Sequence, residues 1–150
     1  MSEAFTTVTR QTEADLLRTL TRFYRCLDAN DIANLTSLMD DTFLWPRQGR
    51  ELRNADDVTS ALSGRDPRLH IFHLLNSVTF EVLDGDRMAY SGYLTVVRSY
   101  ADPDQAVRMP PRGAQSLHVC AGEFTKTPQG WRISAMDAGP PRLLIDIPGE

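Results

Sequence analysis

The sequence predicts an α+β domain in which a cone-shaped, curved antiparallel sheet wraps around three N-terminal helices and holds an internal pocket. Three observations carry this expectation. Between residues 12 and 62 the apolar residues recur at helical spacing, whereas from residue 69 onward they fall in long β-branched and aromatic runs separated by turn signals. Helices first and antiparallel strands after is the order of an α+β fold. The runs are also too long for a flat open sheet in a chain of this size, so the sheet curls and the helices fill its concave side.

Taken in order, residues 1–11 are polar. Thr12-Glu-Ala-Asp then offers an N-cap with acids in the first turn. Leu16, Leu20, Phe23 and Leu27, with Leu17 and Tyr24 beside them, set the apolar face of a helix to about residue 29. Asp31 reads as the N-cap of a short second helix carrying Ile32, Leu35, Leu38 and Met39. Thr42 to Trp45 reads as a short strand ended by Pro46. Asn54 caps a third helix with Val58 and Leu62 inward, and Gly64 stops it. Leu69 to Leu83 is a long strand, Asp84-Gly85-Asp86 a tight turn, and Met88 to Tyr100 its partner. Residues 101–113 form a polar, proline-rich hairpin loop. Gln115 to Lys126 and Trp131 to Asp137 are the next strands, joined by a turn at Pro128-Gln129-Gly130. Gly139-Pro140-Pro141 breaks the last of them before an apolar tail, Leu143 to Ile147, which folds over the pocket mouth, swaps onto a neighbour or packs locally.

The 150 residues suit one domain, with a core at about 12–138 and a tail at 139–150. An apolar share of 41% is that of an ordinary globular chain. The formal charge of −4 argues against nucleic acid or an anionic membrane as partner, because both demand concentrated positive charge. No apolar run approaches the roughly 20 residues of a bilayer span. The start has no apolar leader segment, so the expected compartment is the cytoplasm. Cys26 and Cys120 sit inside regular elements and read as reduced thiols. Three histidines without HxxxH or HExxH spacing give no reason to expect a metal.

Several polar residues fall on faces that ought to be apolar. Asp28 continues the inward face of Leu17, Leu20 and Tyr24 at the end of the first helix, where a carboxylate opposes the helix dipole. It either orients a histidine or bonds the Asn30-Asp31 turn. His73 lies among Phe72, Leu74 and Leu75 and is either a satisfied core residue or, with a carboxylate on one ring nitrogen, a base near neutral pH. Its parity conflicts with Val78, Phe80 and Val82, so both faces of that strand are buried or a bulge changes its phase. His70 is the lesser candidate. Arg98 ends the stripe of Met88, Tyr90, Leu94 and Val96, reaching solvent, anchoring an oxygen or pairing with Asp28. His118 and Cys120 share one strand face as pocket liners, the cysteine as a small buried hydrophobe.

These motifs resemble a known family. Cys26-Leu-Asp-Ala-Asn-Asp followed by Leu35-Thr-Ser-Leu-Met-Asp-Asp is similar to the entry of SnoaL-like domains in the nuclear transport factor two-like superfamily, whose fold is also called cystatin-like. His73, Asn76 and then Val-Thr-Phe-Glu-Val-Leu-Asp-Gly-Asp resembles their first long strand and hairpin, and Gln129-Gly-Trp-Arg-Ile their last strand. The branch of scytalone dehydratase and hexachlorocyclohexane dehydrochlorinase fits best, because those enzymes pair an aspartate and a histidine at the positions of Asp28 and His73. This chain has Arg98, His118 and Cys120 where the dehydratase has histidine, serine and asparagine. The resemblance implies a cofactor-free lyase or isomerase that removes a proton from a small, mostly apolar, cyclic molecule. Asp28 and His73 would be catalytic, and Tyr24, Arg98, His118 and Cys120 would bind substrate. The alternatives are a non-catalytic small-ligand-binding protein of the same fold and an accessory subunit like the oxygenase β-subunits. A homodimer or homotrimer suits each, since a curved sheet leaves one face to cover.

Overall fold

The computed structural model describes residues 7–100 and 115–145. The loop expected at 101–113 and the end of the apolar tail lie outside the described residues.

Helix α1 (Arg10–Asp28) starts two residues before the expected cap. Thr9, not Thr12, is the N-cap, and its hydroxyl accepts the otherwise orphaned Thr12 N–H at 3.1 Å. At the other end Asn30 takes a left-handed conformation (φ 56°), and the N–H groups of Asn30 and Asp31 return to the carbonyls of Leu27 and Cys26. This paired closure fixes where Asp28 stands. Asp31 at once caps α2 (Ile32–Thr36) by accepting the Asn34 N–H, as its position predicted. Asn54 caps α3 (Ala55–Leu62) in the same way through the Asp57 N–H.

The strands are β1 (Met39–Arg47), β2 (Arg50–Leu52), β3 (Leu69–Asp84), β4 (Arg87–Tyr100), β5 (Gln115–Thr127), β6 (Gly130–Asp137) and β7 (Pro141–Ile145). Among the described residues they form one sheet in the order β2-β1-β6-β5-β4-β3, with β7 on β5. The strand pairings are antiparallel, as expected, except that β1 runs parallel to β6, which makes the sheet mixed. The excursion through α3 and three long strands returns the chain alongside β1 in the same direction. Strand β1 is also longer than expected and contains Pro46. The proline is tolerated because it lies opposite Glu51, where β1 is joined to the short edge strand β2. Gln48 and Gly49, with φ of 51° and 76°, make the two-residue turn between them. The apolar tail forms β7 as far as Ile145, pairing locally with the first residues of β5.

The parity conflict of β3 has a local cause. Pairing with β4 slips by one residue between Asn76 and Thr79, and Ser77 sits at φ 51°. This bulge lets Ile71, His73 and Leu75 share the concave face with Phe80 and Val82, which follow it. Against that face α1 buries Leu16, Leu20, Phe23, Tyr24 and Leu27, which meet Leu94, Val96, Phe124 and Ile133 of the sheet. Each such fully buried side chain contributes about 1.5–3 kcal/mol. Trp45 belongs to this core too, edge-on to Phe23 at 5.5 Å.

Candidate active site

The end of α1 and the first half of β3 meet at one polar contact. The Asp28 carboxylate accepts two hydrogen bonds from His73, one from ring Nδ1 to Oδ1 at 2.5 Å and one from the backbone N–H to Oδ2 at 3.0 Å. The side chains are only 10% (His73) and 15% (Asp28) exposed, so water competes little for the contact. A carboxylate only accepts, so Nδ1 carries the proton and the lone pair of a neutral ring lies on Nε2. Among the described residues Nε2 has no hydrogen-bond partner. Tyr24 stacks on the imidazole, centroids 5.3 Å apart and planes inclined by 26°. Ring and carboxylate are thus fixed by three elements of the sequence: the helix end, the strand and the stacked tyrosine one turn back. Burial pushes the Tyr24 hydroxyl well above the ordinary tyrosine range, so it is a neutral phenol.

Asp28 is steadied from behind by a residue that sequence reading did not single out. The Arg65 guanidinium donates to the carbonyls of Leu27 at 2.6 Å and Asp28 at 3.1 Å, closing the C-terminal end of α1 with a cation. Burial lowers the Arg65 pKa and the charge of Asp28 raises it. Thirty-seven residues separate this arginine from the aspartate, and no periodicity links them.

His73 borders a cavity of about 290 Å³ between Leu27, the end of α3, the β1–β2 turn and the start of β3. Asp28, His70 and His73 border a second pocket, of about 410 Å³, together with Arg25. His73 therefore borders both pockets, and Asp28 borders the second.

The other expected site residues are dispersed. Arg98 faces Ile71 across the β3–β4 ladder and so shares the concave face, beside Arg47 rather than in an ion pair with Asp28. His118 shares that face further along β5, but both ring nitrogens are engaged: Nδ1 donates to the Gly139 carbonyl at 3.1 Å and Nε2 accepts from the Ser116 hydroxyl at 2.8 Å. Cys120 has no solvent exposure and directs its thiol at the Gly92 carbonyl. Burial pushes that thiol's pKa up, which removes the thiolate a nucleophile needs. Neither residue borders the cavity with His73. His70 lies on the opposite strand face from His73, across from Ser99. Among the described residues no group of three or more metal-binding side chains is clustered, and no helix is long and apolar enough to cross a membrane.

The profile of the SnoaL-like domain matches residues 9–137. No protein of curated function matches the chain significantly in sequence. In three dimensions it is similar to a type 2 hexachlorocyclohexane dehydrochlorinase, with a TM-score of 0.75 at 12% identity over 93% of this chain and 91% of the other. A type 3 dehydrochlorinase from Novosphingobium barchaimii gives 0.75 at 14% identity, over 93% and 92%. A scytalone dehydratase-like protein from Novosphingobium aromaticivorans gives 0.73 at 11%, over 92% and 89%. At these identities the likeness concerns the fold.

Proposed function

This chain belongs to the SnoaL-like domain family, and from that premise we propose that it is a cofactor-free lyase or isomerase acting on a small, mostly apolar, cyclic molecule. The observation that carries the proposal is the two-point grip of Asp28 on His73, a residue that borders a cavity and whose second ring nitrogen has no partner among the described residues. That arrangement is a general base: Nε2 takes a proton from carbon next to an activating group, and the carboxylate stabilises the imidazolium that results. Tyr24, as a neutral phenol stacked on the ring, keeps the imidazole in plane. Arg98 supplies positive charge to an anionic or carbonyl oxygen of the substrate. His118 and Cys120 serve the sheet rather than the reaction. The dehydrochlorinase and dehydratase names of the structural neighbours agree in kind with this reading.

The test is His73→Gln, assayed against a panel of cyclic β-hydroxy and β-halo carbonyl compounds by product formation and by solvent deuterium uptake. Turnover should vanish while circular dichroism and melting stay those of a folded protein. Turnover retained in the variant sinks the assignment. A wild type that binds panel members without uptake or product is a ligand-binding protein instead.

Self-association through the convex face completes the proposal. Phe72, Leu74, Tyr93 and Val119 stand together there, and Phe72 is 54% exposed. Sedimentation should give a dimer or trimer that Phe72→Glu dissociates; a monomeric wild type refutes it.

A further inference from the structure

The charge around the cavity identifies a second property of the substrate. Three arginines, Arg47, Arg50 and Arg65, border the cavity, and among the described residues no acidic side chain does. A fourth, Arg98, lies across the ladder from Ile71, itself a cavity residue. The chain as a whole is acidic, with a formal charge of −4, so this concentration of cations runs against its composition. Among the described residues the carboxylate whose charge acts on Arg65, that of Asp28, is already held by His73.

The four cations are not equivalent. Arg65 is committed to the two carbonyls at the end of α1, and Arg50 is exposed. Arg47 is half-buried and lies over the Trp45 ring, 5.3 Å from its centroid. Among the described residues neither its guanidinium nor that of Arg98 has a hydrogen bond or an ion pair. Stacking on an aromatic face occupies the plane of a guanidinium and leaves its N–H edge for a planar acceptor. Burial lowers the Arg47 pKa, and the like charges of Arg98 and Arg65 lower it further. A half-buried cation crowded by cations and short of acceptors is relieved by an anion, not by a neutral ring.

We propose that the substrate carries a carboxylate, held by Arg47 with Arg98 beside it, while its reacting carbon meets His73 across the same cavity. A carboxylate presents two coplanar oxygens to the edge of a guanidinium. A cavity of about 290 Å³ then leaves room for about one ring, which places the anchor and the acidic carbon on opposite sides of it. The inference rests on the catalytic reading for the role of His73 but not for the binding of the anion.

The experiment is calorimetric titration of benzoate, benzamide and phenyl phosphate into wild type, Arg47→Gln, Arg98→Gln and His73→Gln, each checked for its fold by melting. Benzoate should bind wild type and His73→Gln about tenfold or more tighter than benzamide, and each arginine variant should bring that ratio to about threefold or less. Equal binding of benzoate and benzamide by wild type overturns the proposal. So does a benzoate preference that survives both arginine substitutions, and so does tighter binding of phenyl phosphate than of benzoate. A catalytically active His73→Gln with the arginine-dependent preference intact removes the proposed base and leaves the anion site standing.

Discussion

Replacing Asp28 by Asn changes one oxygen to an NH2 group and removes a charge, with almost no change in volume. Both Asp28 oxygens are in use, one on the His73 backbone N–H and one on Nδ1. Asparagine has one acceptor oxygen, so it cannot serve both donors. If the oxygen stays on the backbone N–H, the NH2 group faces Nδ1, and the ring must move its proton to Nε2 to accept. Nε2 is then a donor with no lone pair, and the base is lost. Two magnitudes follow. At a charge separation of about 4 Å and an effective dielectric near 20, the carboxylate stabilises an imidazolium by about 4 kcal/mol. That corresponds to about a thousandfold in kcat. The low exposure of both groups keeps solvent from cancelling this term. The lost charge-assisted bond costs about 1.5–3 kcal/mol of stability, a fall of several degrees in Tm at this size. Long-range ¹⁵N–¹H spectra of the His73 ring read the tautomer directly and need no substrate. Wild type should carry the proton on Nδ1 and Asp28→Asn on Nε2. A wild-type ring protonated only on Nε2, or a variant whose kcat falls less than about tenfold, refutes the reasoning.

Two further predictions concern the scaffold. A Cβ on Gly122 would stand 2.1 Å from the Ala135 carbonyl oxygen and 2.6 Å from the Tyr90 ring, so backbone and core would both have to yield. Gly122→Ala should therefore cost about 3 kcal/mol or more, seen as a Tm lowered by several degrees; an unchanged Tm contradicts the packing described. Hydrogen bonds from the Asn34 side chain and backbone N–H hold the Asp31 carboxyl below its ordinary value of 3.8. A depressed carboxylate pKa gives stability that is complete above the unfolded value and is lost as pH falls through the folded one. The Tm deficit of Asp31→Ala should thus be constant above about pH 5 and close below 3.8, and a deficit that persists unchanged in acid counts against the cap.

The parts of this fold that were legible in the sequence are those set by neighbours along the chain. Asp31 and Asn54 were readable as caps because the N–H each satisfies lies three residues on. The spacing of Leu16, Leu20, Phe23 and Leu27 gave the buried face of α1 because one helix has one period. The parallel pairing of β1 with β6 has no such local signature: it depends on where a chain segment ninety residues later comes to rest. The bulge at Ser77 is intermediate. Its trace was visible as a conflict of parity within β3, but a conflict locates a bulge without telling which half of the strand faces inward. The pairing with β4 answers that, and puts His73 on the concave side.

The same distinction separates the two halves of the candidate site. Asp28 and His73 are readable because each is anomalous where it stands, a carboxylate at a helix C-terminus and an imidazole in an apolar strand. Such anomalies persist only when something offsets them, and here each offsets the other. No arginine of the cavity is anomalous in its own segment. Arg47 closes a hairpin and Arg65 follows a helix, places where an arginine ordinarily reaches solvent; only Arg98, which ends an apolar stripe beside the cavity, stands out in its own strand. Arg47 and Arg65 become unusual only in company, where they border one cavity with Arg98 beside Arg47 and, among the described residues, no acidic side chain borders it. If the paired acid and base supply the chemistry, this assembled charge is what selects the molecule on which it acts, and it is the half of the site that reading along the chain is least able to find.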